Sequence, residues 1–326
     1  MEKLVSVIIL NYNNYRLTID CLKSLTKQNY SNFEIILVDN GSKNTNYLEL
    51  KKNLLQFENS LNIRFIRNKR NLYFGGGSNK AIKVAKGDYI CLLNNDTIVM
   101  PDFIEKMVDF LEKTPDAGMI TPKIKFYKDK NYIWNAGASI NFRKTIVVIN
   151  RGYMEYDPLN ERYNDIETIG FAPGTALFIK KSVIDEIGLM DEIFLMYHED
   201  PDWNIRAQKS GYKSYYVPTT IVYHNVPLVT EESRVLFNFY FFKRNSNILA
   251  WEYAGLNDLI YFIIISFISI LYEIVMHIIN RKIWFLFFPL YALYRGLIVG
   301  VKRRTNRSCR KNLIKDYHIV RRLQKF

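Results

Sequence analysis

The run Tyr197-His198-Glu199-Asp200-Pro201-Asp202-Trp203 sets three carboxylates at the start of a segment that reads as a helix. Acidic groups at a helix N-terminus are stabilised by its unpaired N–H groups and by the dipole there. A carboxylate held in that field stays ionised and fixed in place, which suits a general base. The same residues also fit a plain cap, with Asp200 as N-cap and Pro201 at the first helical position. Asp202 and Arg206 stand four apart on one helix face and make a structural pair. Asp200, at the helix mouth, is therefore the candidate base, with Glu199 in support.

A second group offers oxygen and nitrogen donors. Asn94-Asn95-Asp96-Thr97 follows a continuous apolar run, and Asp96 could give a hard divalent ion an oxygen ligand at that strand end. His224, after Ile221-Val222-Tyr223, could add a ligand from a different segment, although a lone histidine is as readily a satisfied polar residue. Asp39, in Val-Asp-Asn-Gly-Ser, can accept a hydrogen bond from a base or ribose, or simply make a turn. In Asn71-Leu72-Tyr73-Phe74-Gly75-Gly76-Gly77-Ser78-Asn79, glycines would let the backbone approach an anion at a helix start, unless the loop is merely flexible.

These groups need elements to hold them. Val5–Leu10, Phe33–Val38, Ile63–Ile66 and Asp88–Leu93 read as strands, with helices near Tyr15–Gln28 and Gly75–Ala85 behind a glycine turn. That alternation predicts an α/β, mostly parallel, Rossmann-like sheet with helices on both faces. Ligands in such sheets sit beyond the carboxyl ends of the strands, where Asn11-Tyr12-Asn13, Asp39 and Asn94-Asn95-Asp96 fall. Short strands and loops follow from Trp134 to Lys180, and the connection Gly170–Thr175 is expected to face an acceptor. Helices over Ser182–Gly188 and Asp200–Ser210 and a closing strand over Tyr212–Val217 complete the domain.

Charge separates the chain into a body and a tail. The formal net charge is +13, but residues 281–326 hold 13 Lys/Arg against the single acid Asp316. The rest is balanced, which excludes a basic nucleic-acid binder. The basic tail follows apolar runs at Leu259–Tyr272, Ile274–Ile279 and Ile283–Tyr294. Each is short of the roughly 20 residues of a simple span. They predict membrane-associating helices over 256–326, peripheral or shallowly inserted, with a pair of spans also open. The basic run Lys302–Lys311 would meet the anionic cytoplasmic leaflet. Cys21, Cys91 and Cys309 are too dispersed for a disulfide framework or a zinc knuckle. The apolar run at the N-terminus is too short for a signal peptide, so the body is expected in the cytosol.

Taken together, Val7-Ile8-Ile9-Leu10-Asn11-Tyr12-Asn13, Val38-Asp39-Asn40-Gly41-Ser42, Asn71…Gly75-Gly76-Gly77…Asn79, Leu93-Asn94-Asn95-Asp96 and Glu199-Asp200-Pro201-Asp202…Arg206 resemble the family-2 inverting glycosyltransferases of the GT-A fold. The resemblance spans about residues 3–250. It includes Tyr240-Phe241-Phe242-Lys243-Arg244-Asn245, which looks like the segment after the catalytic domain in rhamnosyltransferase-like members. It implies a glycosyltransferase domain over 1–250 and a membrane-associating region over 251–326.

By that resemblance Asp39 holds the nucleotide base and Asn11, Tyr12 and Asn13 contact the nucleotide. Asn71, Gly75, Gly76, Gly77, Asn79, Asn94 and Asn95 belong with the nucleotide-sugar site. Asp96 takes the last place of the metal-binding D-x-D motif, His224 completes the shell of Mn²⁺ or Mg²⁺, and Asp200 is the catalytic base. One departure stands out: Asn94 occupies the first place of that motif, and an amide oxygen is a weaker ligand than a carboxylate. The implied reaction is inverting hexosyl transfer from a nucleotide-diphosphate donor to a glycan acceptor, carried on a polyprenol lipid, in cell-surface polysaccharide or glycoconjugate assembly. A nucleotidyltransferase would want a basic glycine-rich loop where Asn11–Asn14 offers amides. A non-catalytic membrane protein keeping the fold would bind donor without turnover.

Overall fold

A computed structural model of the chain describes residues 2–226, 232–279 and 287–305. The first two apolar runs are continuous rather than alternating, as strands buried on both faces require. They form β1 (Val5–Asn11) and β2 (Phe33–Asp39), parallel and in register from Val5 opposite Phe33 to Asn11 opposite Asp39. That register alone sets two of the candidate site residues side by side.

The order continues with α1 (Tyr15–Leu25) between them, then α2 (Asn44–Leu54), β3 (Ile63–Arg67), α3 (Tyr73–Ile82), β4 (Tyr89–Leu93) and β5 (Thr97–Val99). After these come α4 (Phe103–Lys113), β6 (Ala117–Phe126), β7 (Ile133–Asn135), β8 (Ala138–Ile140), β9 (Val148–Asn150), β10 (Glu167–Ile169) and β11 (Ala176–Lys180). The first unit closes with α5 (Lys181–Ile187), α6 (Glu199–Lys209) and β12 (Lys213–His224). The main sheet runs β10-β12-β6-β11-β4-β1-β2-β3, with β11 antiparallel to both neighbours. This is the mixed α/β architecture expected, with one reversed strand at its centre. Val5, Val7 and Ile9 point into a core with α1 and α4, while Ile8 points into a second core with Ala81 and Ile82 of α3, Val183 of α5 and Trp203 of α6.

Two elements differ from the sequence reading. The closing strand does not stop at Val217: β12 passes Pro218 and continues to His224, with a register shift against β6 between Tyr216 and Ile221. Proline lacks the N–H a ladder needs, and a bulge is where a sheet tolerates it. The extension brings His224 opposite Phe126, at the carboxyl end of the sheet. The glycines are the second difference. α3 begins at Tyr73, so Gly75–Gly77 lie inside the helix rather than in a turn before it. A Cβ on Gly77 would come within 3.0 Å of both Asn40 Nδ2 and Leu10 Cδ1, so a bare backbone lets α3 sit against the ends of β1 and β2.

A second compact unit comprises Ile140–Ile149, Met196–Glu199 and the chain from Leu228 on. Its described helices are α7 (Glu232–Tyr253), α8 (Leu256–Ile279) and α9 (Phe287–Thr305). Gly296 and Gly300 let α9 press on α7: a Cβ at Gly296 would lie 2.6 Å from Arg244 O, and one at Gly300 2.5 Å from Trp251 Cβ. The separate apolar runs Leu259–Tyr272 and Ile274–Ile279 are one continuous helix, since Glu273 between them is a good helix former, and it pairs with Lys243 of α7. Residues 283–286 of the last apolar run, and the basic run beyond Thr305, lie outside the described residues.

Candidate active site

Asp39 ends β2 fully buried. Its Oδ1 accepts from Asn11 Nδ2 at 3.0 Å, and the Arg67 guanidinium, stacked 3.7 Å over the Tyr47 ring, approaches Oδ2 at 3.6 Å. Oδ2 is buried without a hydrogen-bond partner among the described residues. An unmade bond of that kind costs about 1–3 kcal/mol, so such an atom is characteristic of a site awaiting a donor. Asn11 is spent internally. Its Nδ2 also lies 3.2 Å from Ser42 Oγ and 3.1 Å from Asn46 Oδ1, and its Oδ1 accepts from Thr18. It orients Asp39 rather than reaching outward. Asn13, in the left-handed conformation at φ 56°, accepts from Lys43 N, and Tyr12 projects into solvent.

The asparagines around the glycine segment form two sets of hydrogen bonds, one through Asn40 and Asn71 and one through Asn79. Asn40 donates to Tyr73 O and Asn71 Oδ1, and Asn71 Oδ1 in turn accepts the Tyr73 N–H at 2.7 Å. Asn79 holds both N–H and C=O of Met190. These side chains fix α3 and the segment before α6; Asn71 and Asn79 were named from the sequence as site residues, whereas Asn40 stood only within the motif Val38–Ser42.

At the end of β4, Asp96 Oδ1 lies 3.0 Å from His224 Nε2, and Asn225 N donates to Asp96 O. The β12 extension makes this meeting. Trp134 stands edge-on to the imidazole, 4.5 Å between ring centroids. No group of three His, Cys, Asp or Glu side chains converges to hold a metal ion among the described residues. The Asp96–His224 pair nonetheless fits a hard cation that takes its remaining ligands from a diphosphate and water. Asn95 does not join it: its amide donates to Thr18 Oγ1 at 2.9 Å.

Asp200 sits in the first turn of α6. Its Oδ2 accepts the Gly174 N–H at 2.9 Å, and Asn204 Nδ2 bonds its backbone carbonyl. Loss of surrounding water pushes the Asp200 carboxyl up to about 6, against the opposing pull of the Gly174 N–H. Thr175, the next residue, accepts the Asn94 N–H at 2.9 Å. Two consecutive residues, Gly174 and Thr175, therefore tie the candidate base to the segment that carries Asp96. Gly174 has no room for a side chain, since a Cβ would meet the Phe74 ring at 2.9 Å. Gly174 and Asn204 are candidate site residues that the sequence reading did not name; Gly170-Phe171-Ala172-Pro173-Gly174 was read as a connection facing the acceptor, without a contact to Asp200. The pair Asp202–Arg206 forms as expected, at 2.9 Å, with Arg206 also capping the carbonyls of Ile187 and Leu189.

Within the second unit, the segment leading into α6 is gripped by α7. Leu195, Tyr197 and His198 all have positive φ, which costs energy outside glycine. Asn245 Nδ2 bonds the carbonyls of Met196 and Tyr197, Ser246 Oγ meets His198 Nε2 at 3.1 Å, and Tyr197 stacks on Phe242 at 4.3 Å. Burial pushes the His198 imidazole down to about 3, so it stays neutral. Glu199 is buried in this unit.

Comparison with known proteins bears on this geometry. The family model described as glycosyl transferase family 2 matches residues 6–188, more than half the chain. An uncharacterized glycosyltransferase of Methanocaldococcus jannaschii is 22% identical over 86% of this chain and 96% of its own length. The amylovoran biosynthesis glycosyltransferase AmsB of Erwinia amylovora is 27% identical over 64% of this chain and 65% of its own. Among solved structures, the mannosyltransferase PcManGT of Pyrobaculum calidifontis, in complex with GDP-Man and Mn²⁺, superposes with a TM-score of 0.54 at 13% identity, covering 94% of this chain and 88% of that one.

Proposed function

The chain belongs to glycosyl transferase family 2, with the GT-A fold, and from that premise we propose that it transfers a hexose, with inversion, from a nucleotide-diphosphate sugar to a hydroxyl of a lipid-linked glycan. The observation that carries the reading is Asp200: a carboxyl fixed by Gly174 N–H at a helix start, with its proton affinity raised to about 6, beside the segment bearing Asp96. A base poised near neutral pH is matched to taking a proton from a sugar hydroxyl.

Asp39 Oδ2 is the acceptor for an N–H of the nucleotide base, held in place by Asn11. Asp96 and His224 would hold Mn²⁺ or Mg²⁺, which supplies Lewis-acid neutralisation of the diphosphate. As the acceptor oxygen attacks the anomeric carbon from the face opposite the leaving group, its proton passes to Asp200. The anomeric C–O bond breaks with its electron pair going to the diphosphate, through a transition state of oxocarbenium character like that of glycoside hydrolysis. Glu199, adjacent in sequence and buried, supports Asp200 from the positive end of the α6 dipole. AmsB, a biosynthetic glycosyltransferase for amylovoran, supports a polysaccharide or glycoconjugate product. The apolar α8 and the basic tail support an acceptor met at the cytoplasmic face of a membrane.

The test is a screen of the purified full-length chain against nucleotide-sugars with and without Mn²⁺ or Mg²⁺, reading thermal shift and donor hydrolysis. At least one sugar nucleotide should stabilise the protein and be slowly hydrolysed. No shift and no hydrolysis with any of them would reject the reading.

A further inference from the structure

α8 is apolar around most of its circumference. Ile260, Ile264, Phe267, Leu271, Tyr272, Val275 and Ile279 are all exposed, from 48% to 67%. Among the described residues of α8, one stripe, Leu259, Phe262, Ser266 and Ile270, is buried. Length and composition alone would let this helix cross a bilayer. Its protein-facing stripe argues otherwise.

That stripe carries ion pairs near both ends of the helix. Asp258 pairs with Arg143 at 2.7 Å in the first turn, and Glu273 pairs with Lys243 of α7 and accepts from Ser269. The two acids are separated by about 22 Å along the axis, at 1.5 Å per residue. Lys243 is two residues from Asn245 and three from Ser246, the side chains that hold Met196, Tyr197 and His198. A perpendicular α8 would leave the exposed Asp258–Arg143 pair at one interface but would carry the Glu273–Lys243 pair, and with it the nearby segment entering Asp200, below the headgroups, where polar backbone without partners is not tolerated.

We infer that α8 lies in the plane of an anionic bilayer as a monotopic wedge, its exposed apolar face in the acyl boundary and α7 on its water side, so that the segment Met196–Glu199 is held at headgroup level. Charge supports lipid as the occupant. Lys302 and Arg304 stand exposed at the end of α9, where Arg304 bonds the carbonyls of Trp251 and Ala254 at the α7–α8 turn, while Arg303 between them is buried against Glu252. Residues 281–326 hold 13 Lys/Arg and a single acid, which matches anionic headgroups. The inference deepens the membrane part of the proposed function and rests on it for the nature of the acceptor; the geometry of α8 stands apart from donor chemistry.

The experiment uses the full chain with Cys309→Ser and one added cysteine at a time: Ile260→Cys, Ile264→Cys, Phe267→Cys, Leu271→Cys or Val275→Cys. Each is labelled with an environment-sensitive fluorophore and reconstituted into vesicles of equimolar phosphatidylcholine and phosphatidylglycerol carrying shallow or deep nitroxide quenchers. An in-plane helix gives the same shallow depth at all positions. A depth that peaks at Phe267 and falls toward Ile260 and Val275 overturns the inference in favour of a span. Absence of lipid quenching, with the chain in solution as a dimer or monomer, overturns it in favour of a second copy or the chain's own tail as the cover. Nucleotide-sugar thermal shift on the same samples reads the proposed activity independently, so failure of one is not failure of the other.

Discussion

Asp200 combines two demands that pull against each other. Holding a carboxyl away from water raises its proton affinity from the ordinary 3.8 to about 6, and a group so raised weakens the fold once it must ionise. Below pH 3.8 both folded and unfolded chains carry the proton and nothing is lost. Between there and about pH 6 only the unfolded chain ionises, so stability falls, and above 6 the loss is complete. Asp200→Asn should therefore melt a few degrees higher than the native chain at pH 8 and nearly level with it at pH 4, by calorimetry. Turnover should show an acid limb near pH 6, measured as kcat/KM against pH; a limb near 4 would place the proton elsewhere. Asn94→Asp restores a carboxylate in the D-x-D position and should lower the Mn²⁺ concentration for half-maximal activity by about tenfold, equivalent to roughly 1.4 kcal/mol. Asp200, Asp96 and Asp39 could be chosen as candidates from the sequence because charged residues at strand and helix ends announce themselves. Gly174 was not, since its part is a backbone N–H and a missing Cβ that only the Phe74 ring makes necessary.

Among the elements, the sheet's first strands could be read from their continuous apolar runs, whereas β12 could not. Pro218-Thr219-Thr220 interrupts its pattern, and only pairing with β6 shows that the chain continues to His224. The motif Tyr240–Asn245 in α7 was visible in the sequence, but its task was not: the polar residues 243–247 are buried, and Asn245 with Ser246, just beyond the motif, hold the strained segment Met196–His198. Asn245→Ala removes the donor to two carbonyls and should cost about 1–3 kcal/mol. It should also lower kcat while leaving donor affinity intact, separating a positioning effect from loss of binding. Gly296 and Gly300, spaced four apart on α9, were likewise overlooked. Gly296→Leu should drive α9 off α7 and lower the melting temperature by several degrees, since the clash is with backbone that cannot yield.

For the whole molecule, charge and apolar surface fall in one part of the sequence. The near-neutral body and the strongly basic residues 281–326 were plain from composition, as was the apolar character of α8. What composition could not give was the posture of that helix, because span and wedge share length and hydropathy. The proposal of a wedge rests on the Glu273–Lys243 pair. Flotation with anionic vesicles should weaken at high salt yet persist, since screening removes the headgroup attraction and leaves apolar burial. The central claim, that Asp200 is the base of a nucleotide-sugar transferase, is tested most directly by comparing native chain and Asp200→Asn with the sugar nucleotide that binds. Donor affinity by calorimetry should be unchanged, and transfer or hydrolysis should fall by about 10²–10⁴-fold. Near-native turnover by Asp200→Asn would contradict the account.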